Sequence, residues 1–108
     1  MAYQDLNPED YRERIESNKD FVRLDVRTPQ EFEEGHIPGA INIDVQDASF
    51  RHEIDKLDKT KSYFVNCRSG GRSAVACKIM SESDFQGELY NLEGGMLAWR
   101  DRGFEVEG

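Results

Sequence analysis

The chain is 108 residues long, a length that suits one domain over residues 1–108, and 14 Lys+Arg against 22 Asp+Glu give a net charge of −8. With 37% hydrophobic and 33% charged residues and only 3 prolines, the composition is neither that of a disordered chain nor that of a collagen. The acidic balance opposes nucleic acid and anionic membrane surfaces as partners, since both need a positive footprint, but it leaves room for a small anion in a locally positive pocket.

No stretch approaches the roughly 18–20 apolar residues that span a bilayer. The N-terminus, Met1-Ala2-Tyr3-Gln4-Asp5-Leu6, lacks the basic and apolar regions of a signal peptide, so a cytoplasmic location is expected. Two cysteines and two histidines make neither a disulfide framework nor metal-ligand spacing, and no metal or cofactor is expected.

In chain order, Asn7-Pro8 predicts a helix start, with Tyr11 and Ile15 four apart on one face. Phe21 to Val26 predicts a short strand. Thr28-Pro29-Gln30-Glu31 spells a capping box with proline at the first helical position, and Gly35 is a stop. The acidic run Glu31 to Glu34 is expected to be a solvated helix start favoured by the dipole. Ile41 to Ile43 predicts another strand, and Phe50, Ile54 and Leu57 follow helical spacing. Ser62 to Asn66 holds Tyr63, Phe64 and Val65 in succession and predicts a buried strand. The loop Cys67 to Arg72 follows, then a helix capped by Ser73 and running to about Met80. Glu88 to Leu92 predicts the last strand, and Gly95 to Arg102 the last helix. Strands alternating with helices imply parallel pairing, so the fold class is α/β, a small parallel β-sheet flanked by helices on both faces. Ligands in such sheets sit beyond the carboxyl ends of the strands, and Cys67 falls at one.

The segment Cys67-Arg68-Ser69-Gly70-Gly71-Arg72-Ser73 carries the chemistry. A cysteine leaving a strand into a glycine-rich turn that opens a helix meets a nest of backbone N–H groups and the positive end of the helix. Arg68 and Arg72 add two formal charges. All three effects favour thiolate, and cysteines in such settings have pKa values of roughly 3.5–7.5. Packing alone gives a cysteine little reason to sit in a cationic turn, although an isolated cysteine is more often a small buried apolar residue. The construction suits a nucleophilic sulfur that handles an anion. Cys77 falls inside the following helix among Ala74, Val75, Ala76, Ile79 and Met80, and is expected to be a buried, inert thiol.

Three separated pieces together resemble the rhodanese-like single-domain sulfurtransferases. Leu24-Asp25-Val26-Arg27-Thr28-Pro29-Gln30-Glu31-Phe32 with Gly35-His36-Ile37-Pro38-Gly39-Ala40-Ile41-Asn42-Ile43 is similar to the N-terminal signature of that family. Cys67 to Ser73 is similar to its active-site loop, and Gly94-Gly95-Met96-Leu97-Ala98-Trp99 to its C-terminal signature. The resemblance implies a Cys67 nucleophile that takes the outer sulfur of thiosulfate or a related donor, forms a persulfide, and yields that sulfur to cyanide or a thiol. It implies that Arg68, Ser69, Gly70, Gly71, Arg72 and Ser73 form the substrate cradle, with both arginines neutralising the donor, and that Asp25 and Arg27 support the site. It implies no cofactor.

The expected partners are therefore a small anionic sulfur donor and a thiophilic acceptor, with a sulfur-accepting protein as a further class. His36, enclosed by glycine and proline, is expected to be structural, as is Trp99; His52 lies on an exposed helix face. Two alternatives stay open at this point. One is a persulfide carrier or binding module that delivers sulfur to a partner protein. The other is a phosphatase or arsenate reductase on the same fold. Against the latter, four residues separate Cys67 from Arg72, where those enzymes place five, and Asn66 rather than histidine precedes the cysteine.

Overall fold

The computed structural model describes residues 3–17 and 20–108. Met1 and Ala2, part of the N-terminus expected to lack signal-peptide features, lie outside the described residues. Among the described residues, five strands and five helices alternate: β1 (Gln4–Leu6), α1 (Pro8–Ser17), β2 (Val22–Asp25), α2 (Pro29–Glu33), β3 (Ile41–Asn42), α3 (Phe50–Ile54), β4 (Tyr63–Asn66), α4 (Gly71–Ser81), β5 (Leu89–Leu92) and α5 (Gly95–Asp101). The strands form one parallel sheet in the order β1-β5-β4-β2-β3. This is the α/β class read from the sequence. None of the helices is long and apolar enough to cross a membrane, among the described residues.

Strand pleat divides the core in two, because successive side chains face opposite ways. Leu24, Val26, Tyr63, Val65, Cys67 and Leu89 face α3 and α4, which contribute Phe50, Ile54, Ala76, Cys77 and Met80. Phe64, Tyr90 and Leu92 face α1 and α5, which contribute Tyr11, Ile15, Met96 and Trp99. Tyr11 meets Phe64 and Trp99 edge-on, at centroid separations of 5.1 and 6.2 Å.

The local start signals act as the sequence reads. Asn7 Oδ1 accepts the Asp10 N–H at 2.8 Å. Thr28 and Glu31 close their capping box reciprocally, with the Glu31 N–H on Thr28 Oγ1 at 3.2 Å and the Thr28 N–H on Glu31 Oε1 at 3.0 Å.

Three expectations need correction. β1 was not anticipated: it is a three-residue edge strand with only Leu6 buried, too short to show a period, and it is held by backbone pairing to β5. Ser73 does not cap α4. The helix begins two residues earlier, behind Gly70, whose φ of 107° makes the left-handed turn out of the loop, and the Ser73 side chain turns inward. Glu31 is not a freely solvated helix-start charge, since its carboxylate is engaged both by the cap and by an arginine.

Candidate active site

β4 lies between β5 and β2 and delivers Cys67 to the carboxyl edge of the sheet. The residue is only 1% exposed. Its Sγ faces back into the loop it begins. The Gly70 N–H donates to it at 3.0 Å and Ser73 Oγ lies 3.3 Å away. Burial pushes the thiol pKa up, but the Ser73 hydroxyl and the N–H groups of Ser73, Gly70 and Ser69 outweigh it, leaving the group below its ordinary value.

The loop is held from behind by the start of α5. Met96 N–H donates to the Cys67 carbonyl at 2.9 Å and Leu97 N–H to the Arg68 carbonyl at 3.0 Å. Gly95, at φ 58°, makes this approach possible: a β-carbon there would stand 2.4 Å from the Arg68 carbonyl carbon and oxygen. The second glycine of the C-terminal motif is thus a packing requirement of the Cys67 loop.

The two loop arginines part company. Arg72 forms a two-pronged pair with Glu31, Nη1 to Oε1 at 2.8 Å and Nη2 to Oε2 at 2.9 Å. This pair, against a smaller cost of burial and with help from the Thr28 N–H and hydroxyl, lowers the Glu31 pKa to about 2. Arg72 senses the charge of Cys67 only after that of Glu31. Hydrogen bonds from the loop itself are what lower the Cys67 pKa, and Arg72 divides its charge between Glu31 and Cys67, with Glu31 first. Arg68 is exposed and lines a cavity of about 370 Å³ whose wall also includes Arg100, Leu97, Met96, Glu31 and Glu34.

Asp25 and Arg27 lie buried at the end of β2, beside β4. Arg27 donates from Nε to Oδ1 at 2.9 Å and from Nη2 to Oδ2 at 2.7 Å, and Nη2 also reaches the Gly35 carbonyl at 2.8 Å. The pair ties the strand end to the turn after α2, and Val26 N–H bonds the Asn66 carbonyl at 3.0 Å just before the cysteine. His36 is placed elsewhere. Its ring stacks on Phe32 at 3.7 Å, Nδ1 meets the Phe32 carbonyl at 2.8 Å, and Nε2 lies 3.6 Å from Glu107. Trp99 is in the core with Nε1–H on the Glu105 carbonyl at 2.8 Å.

Sequence reading missed Asn91. It lies on β5, 4% exposed, and its amide Nδ2 donates to Asp5 Oδ1 at 2.9 Å and, more weakly, to the Gly70 carbonyl at 3.4 Å. Its Oδ1 accepts from the Ser73 hydroxyl. A polar side chain inside an otherwise buried strand was the available signal. Asn66, fully buried with neither amide atom hydrogen-bonded among the described residues, is a second such residue.

Residues 7–102 match the rhodanese-like domain family. The chain belongs to the rhodanese-like sulfurtransferase family. YtwF of Bacillus subtilis is 37% identical to it over 99 residues, covering 92% of each chain. Thiosulfate sulfurtransferase 16 of Arabidopsis thaliana, a chloroplastic protein, is 37% identical over 94 residues and 78% of each chain. A rhodanese-related protein from Thermoplasma volcanium superposes with a TM-score of 0.82 at 33% identity, over 97% of this chain and 98% of that one.

Proposed function

We propose that the protein is a thiosulfate:cyanide-type sulfurtransferase working through a persulfide on Cys67. The carrying observation is the convergence of the Gly70 N–H, at 3.0 Å, and the Ser73 hydroxyl, at 3.3 Å, on one sulfur at the mouth of the loop. Such a cradle holds an anion at Sγ without a general base.

The chemistry balances with the groups present. The Cys67 thiolate attacks the outer sulfur of thiosulfate and forms an Sγ–S bond. The bond from that sulfur to the sulfonate sulfur breaks, and sulfite leaves with the electron pair. The persulfide keeps one negative charge on its outer sulfur. Cyanide then attacks that sulfur, thiocyanate departs, and the Cys67 thiolate is restored; a protein or small-molecule thiol serves as acceptor by the same attack. Arg68, free of ion pairs among the described residues, is the cation for the donor's sulfonate, while Arg72 fixes the loop through Glu31. Gly70 and Gly71 leave the approach clear of side chains, and Asp25 and Arg27 brace the neighbouring strand end. No cofactor enters the cycle. A phosphatase-type reading fits poorly, because the arginine that would close an oxyanion cradle is committed to Glu31.

The test is intact mass after incubation with thiosulfate, alongside thiocyanate formation. The expected result is a gain of one sulfur atom, absent together with turnover in Cys67→Ser. Turnover retained in a folded Cys67→Ser protein overturns the proposal.

A further inference from the structure

The Ser73 hydroxyl has one hydrogen and three acceptors around it: Cys67 Sγ at 3.3 Å, the Gly70 carbonyl at 3.2 Å, and Asn91 Oδ1. The Gly70 carbonyl is already served by the Ala74 N–H at 3.1 Å. The orientation of the Asn91 amide is fixed by chemistry. Its Nδ2 faces the Asp5 carboxylate and the Gly70 carbonyl, both acceptors only, so Oδ1 must face Ser73. Asn91 therefore competes with Cys67 for a single hydrogen. Asp5, in register with Asn91 on the neighbouring strand, keeps it in that role.

We infer that Asn91 is a positioning residue for sulfur transfer, its Oδ1 taking the Ser73 hydrogen when Cys67 Sγ is uncharged and yielding it when Sγ is a thiolate. In the thiol, the S–H donates to Ser73 Oγ and the Ser73 hydroxyl to Asn91. In the thiolate, the hydroxyl turns to Sγ and Oδ1 is left unserved. When the persulfide forms, charge moves from Sγ to the outer sulfur, and the Ser73 hydrogen returns to Asn91. Asn91 thus disfavours the bare thiolate and favours its sulfur-loaded form. This assignment rests on the persulfide reading of Cys67.

The other charged and titratable groups around Sγ are Arg72 with Glu31, Arg68 on the loop, Asp44 near Arg72, Cys77 on α4, Asp5 on β1, and Asp25 with Arg27 at the end of β2. Of these, only Asp5 is altered in the variants below.

The first measurement is the pH midpoint of Cys67 alkylation in the donor-free protein. Asn91→Leu removes the competing acceptor while keeping the γ-branched shape, and should lower the midpoint by about 0.5–1 pH unit, the worth of one neutral hydrogen bond. A residue that merely supported the cradle would give the opposite sign, because loosening the cradle raises the midpoint. A midpoint unchanged or raised in Asn91→Leu overturns the inference. Should that variant fail to fold, Asp5→Ala and Asp5→Asn decide, since both remove the same charge at an exposed position. Asp5→Asn retains an acceptor for the Asn91 amide and Asp5→Ala does not, so the midpoint of Asp5→Ala should lie below that of Asp5→Asn; equal midpoints overturn the inference. The second measurement is the persulfide fraction at fixed thiosulfate and sulfite. Asn91→Leu should shift this equilibrium toward the thiolate by about 3–10-fold, the same bond expressed as a ratio. An unshifted equilibrium overturns the inference. Absence of any persulfide in the unaltered protein overturns instead the sulfur-transfer reading, and the alkylation midpoint then decides the role of Asn91 alone.

Discussion

Cys67 and Cys77 share a core cluster, and both are almost fully buried free thiols. They are pushed in opposite directions. Cys67 is held below the ordinary thiol pKa, while burial first, then the charges of Asp5 and Cys67, drive Cys77 far above it. Burial alone therefore does not decide what a cysteine does. The difference is backbone direction: Cys67 stands where a loop turns its N–H groups inward, whereas Cys77 stands inside α4, where the N–H groups are spent on the helix. Moving ten residues along the chain exchanges an anion cradle for an apolar wall.

The strongest way to break the contrast is to deform the loop that creates it. Gly95→Ala forces an L-residue into left-handed backbone and drives a methyl group against the Arg68 carbonyl. The left-handed conformation costs about 1–2 kcal/mol and the overpacking about 1–3 more, so stability should fall by roughly 2–5 kcal/mol. Because Met96 and Leu97 would lose their hold on the Cys67 and Arg68 carbonyls, Cys67 should also behave more like an ordinary thiol. Urea denaturation reads the first effect and alkylation at neutral pH the second. Wild-type values for both would show that α5 does not shape the loop.

Ser73→Ala strikes the cradle without moving backbone. It removes the donor that does most to lower the Cys67 pKa, so the pKa should rise. A hydrogen bond to a charged group is worth about 1.5–3 kcal/mol, which places the rise near 1–2 pH units. The acid limb of the pH–rate profile should move up by that amount, with turnover recovering at alkaline pH. The linked effect on stability follows the same sign. A lowered thiol pKa in the folded state contributes stability above the unfolded value of about 8.5 and loses it as pH falls through the folded value. Ser73→Ala should shrink that alkaline contribution. A pH–rate profile that falls in height without moving would assign Ser73 another role.

Contiguous features were legible in the sequence and distant pairings were not. The caps at Asn7 and at Thr28–Glu31 act over three residues, and the Cys67 to Ser73 loop writes its chemistry in one short run, so both could be read locally. β1 could not, because its one buried side chain shows no period and its place depends on β5. The charge of Arg72 was assigned to the sulfur because Cys67 is near in sequence, yet Glu31, distant in the chain, claims it in space. Asn91 and Asp5 reach the loop in the same way, through strand neighbours that only the order β1-β5-β4 brings together. Thus the Cys67 loop was visible in the sequence, while most of the groups packed around it depend on the completed sheet.

The smallest expected effect tests the other side of the contrast. The Cys77 thiol makes no hydrogen bond among the described residues and packs in the α3–α4 core, so Cys77→Ala deletes only one buried sulfur. The cost should be about 1 kcal/mol, the scale of a single deleted core group, with sulfur transfer unchanged within about twofold. Cys77→Ser has almost the same size but puts a hydroxyl where the thiol found no partner, and should cost about 1–3 kcal/mol. The pH dependence separates the two thiols. Cys77 has a raised pKa in the fold, so its contribution is complete below the unfolded thiol value of about 8.5 and is lost as pH rises beyond it. Cys77→Ala should therefore flatten the decline of stability above about pH 9 while leaving the pH–rate profile of Cys67 in place. If Cys77→Ala instead accumulated persulfide and failed to release it, Cys77 would be a resolving thiol, and the apolar wall of α4 would have to open during the cycle.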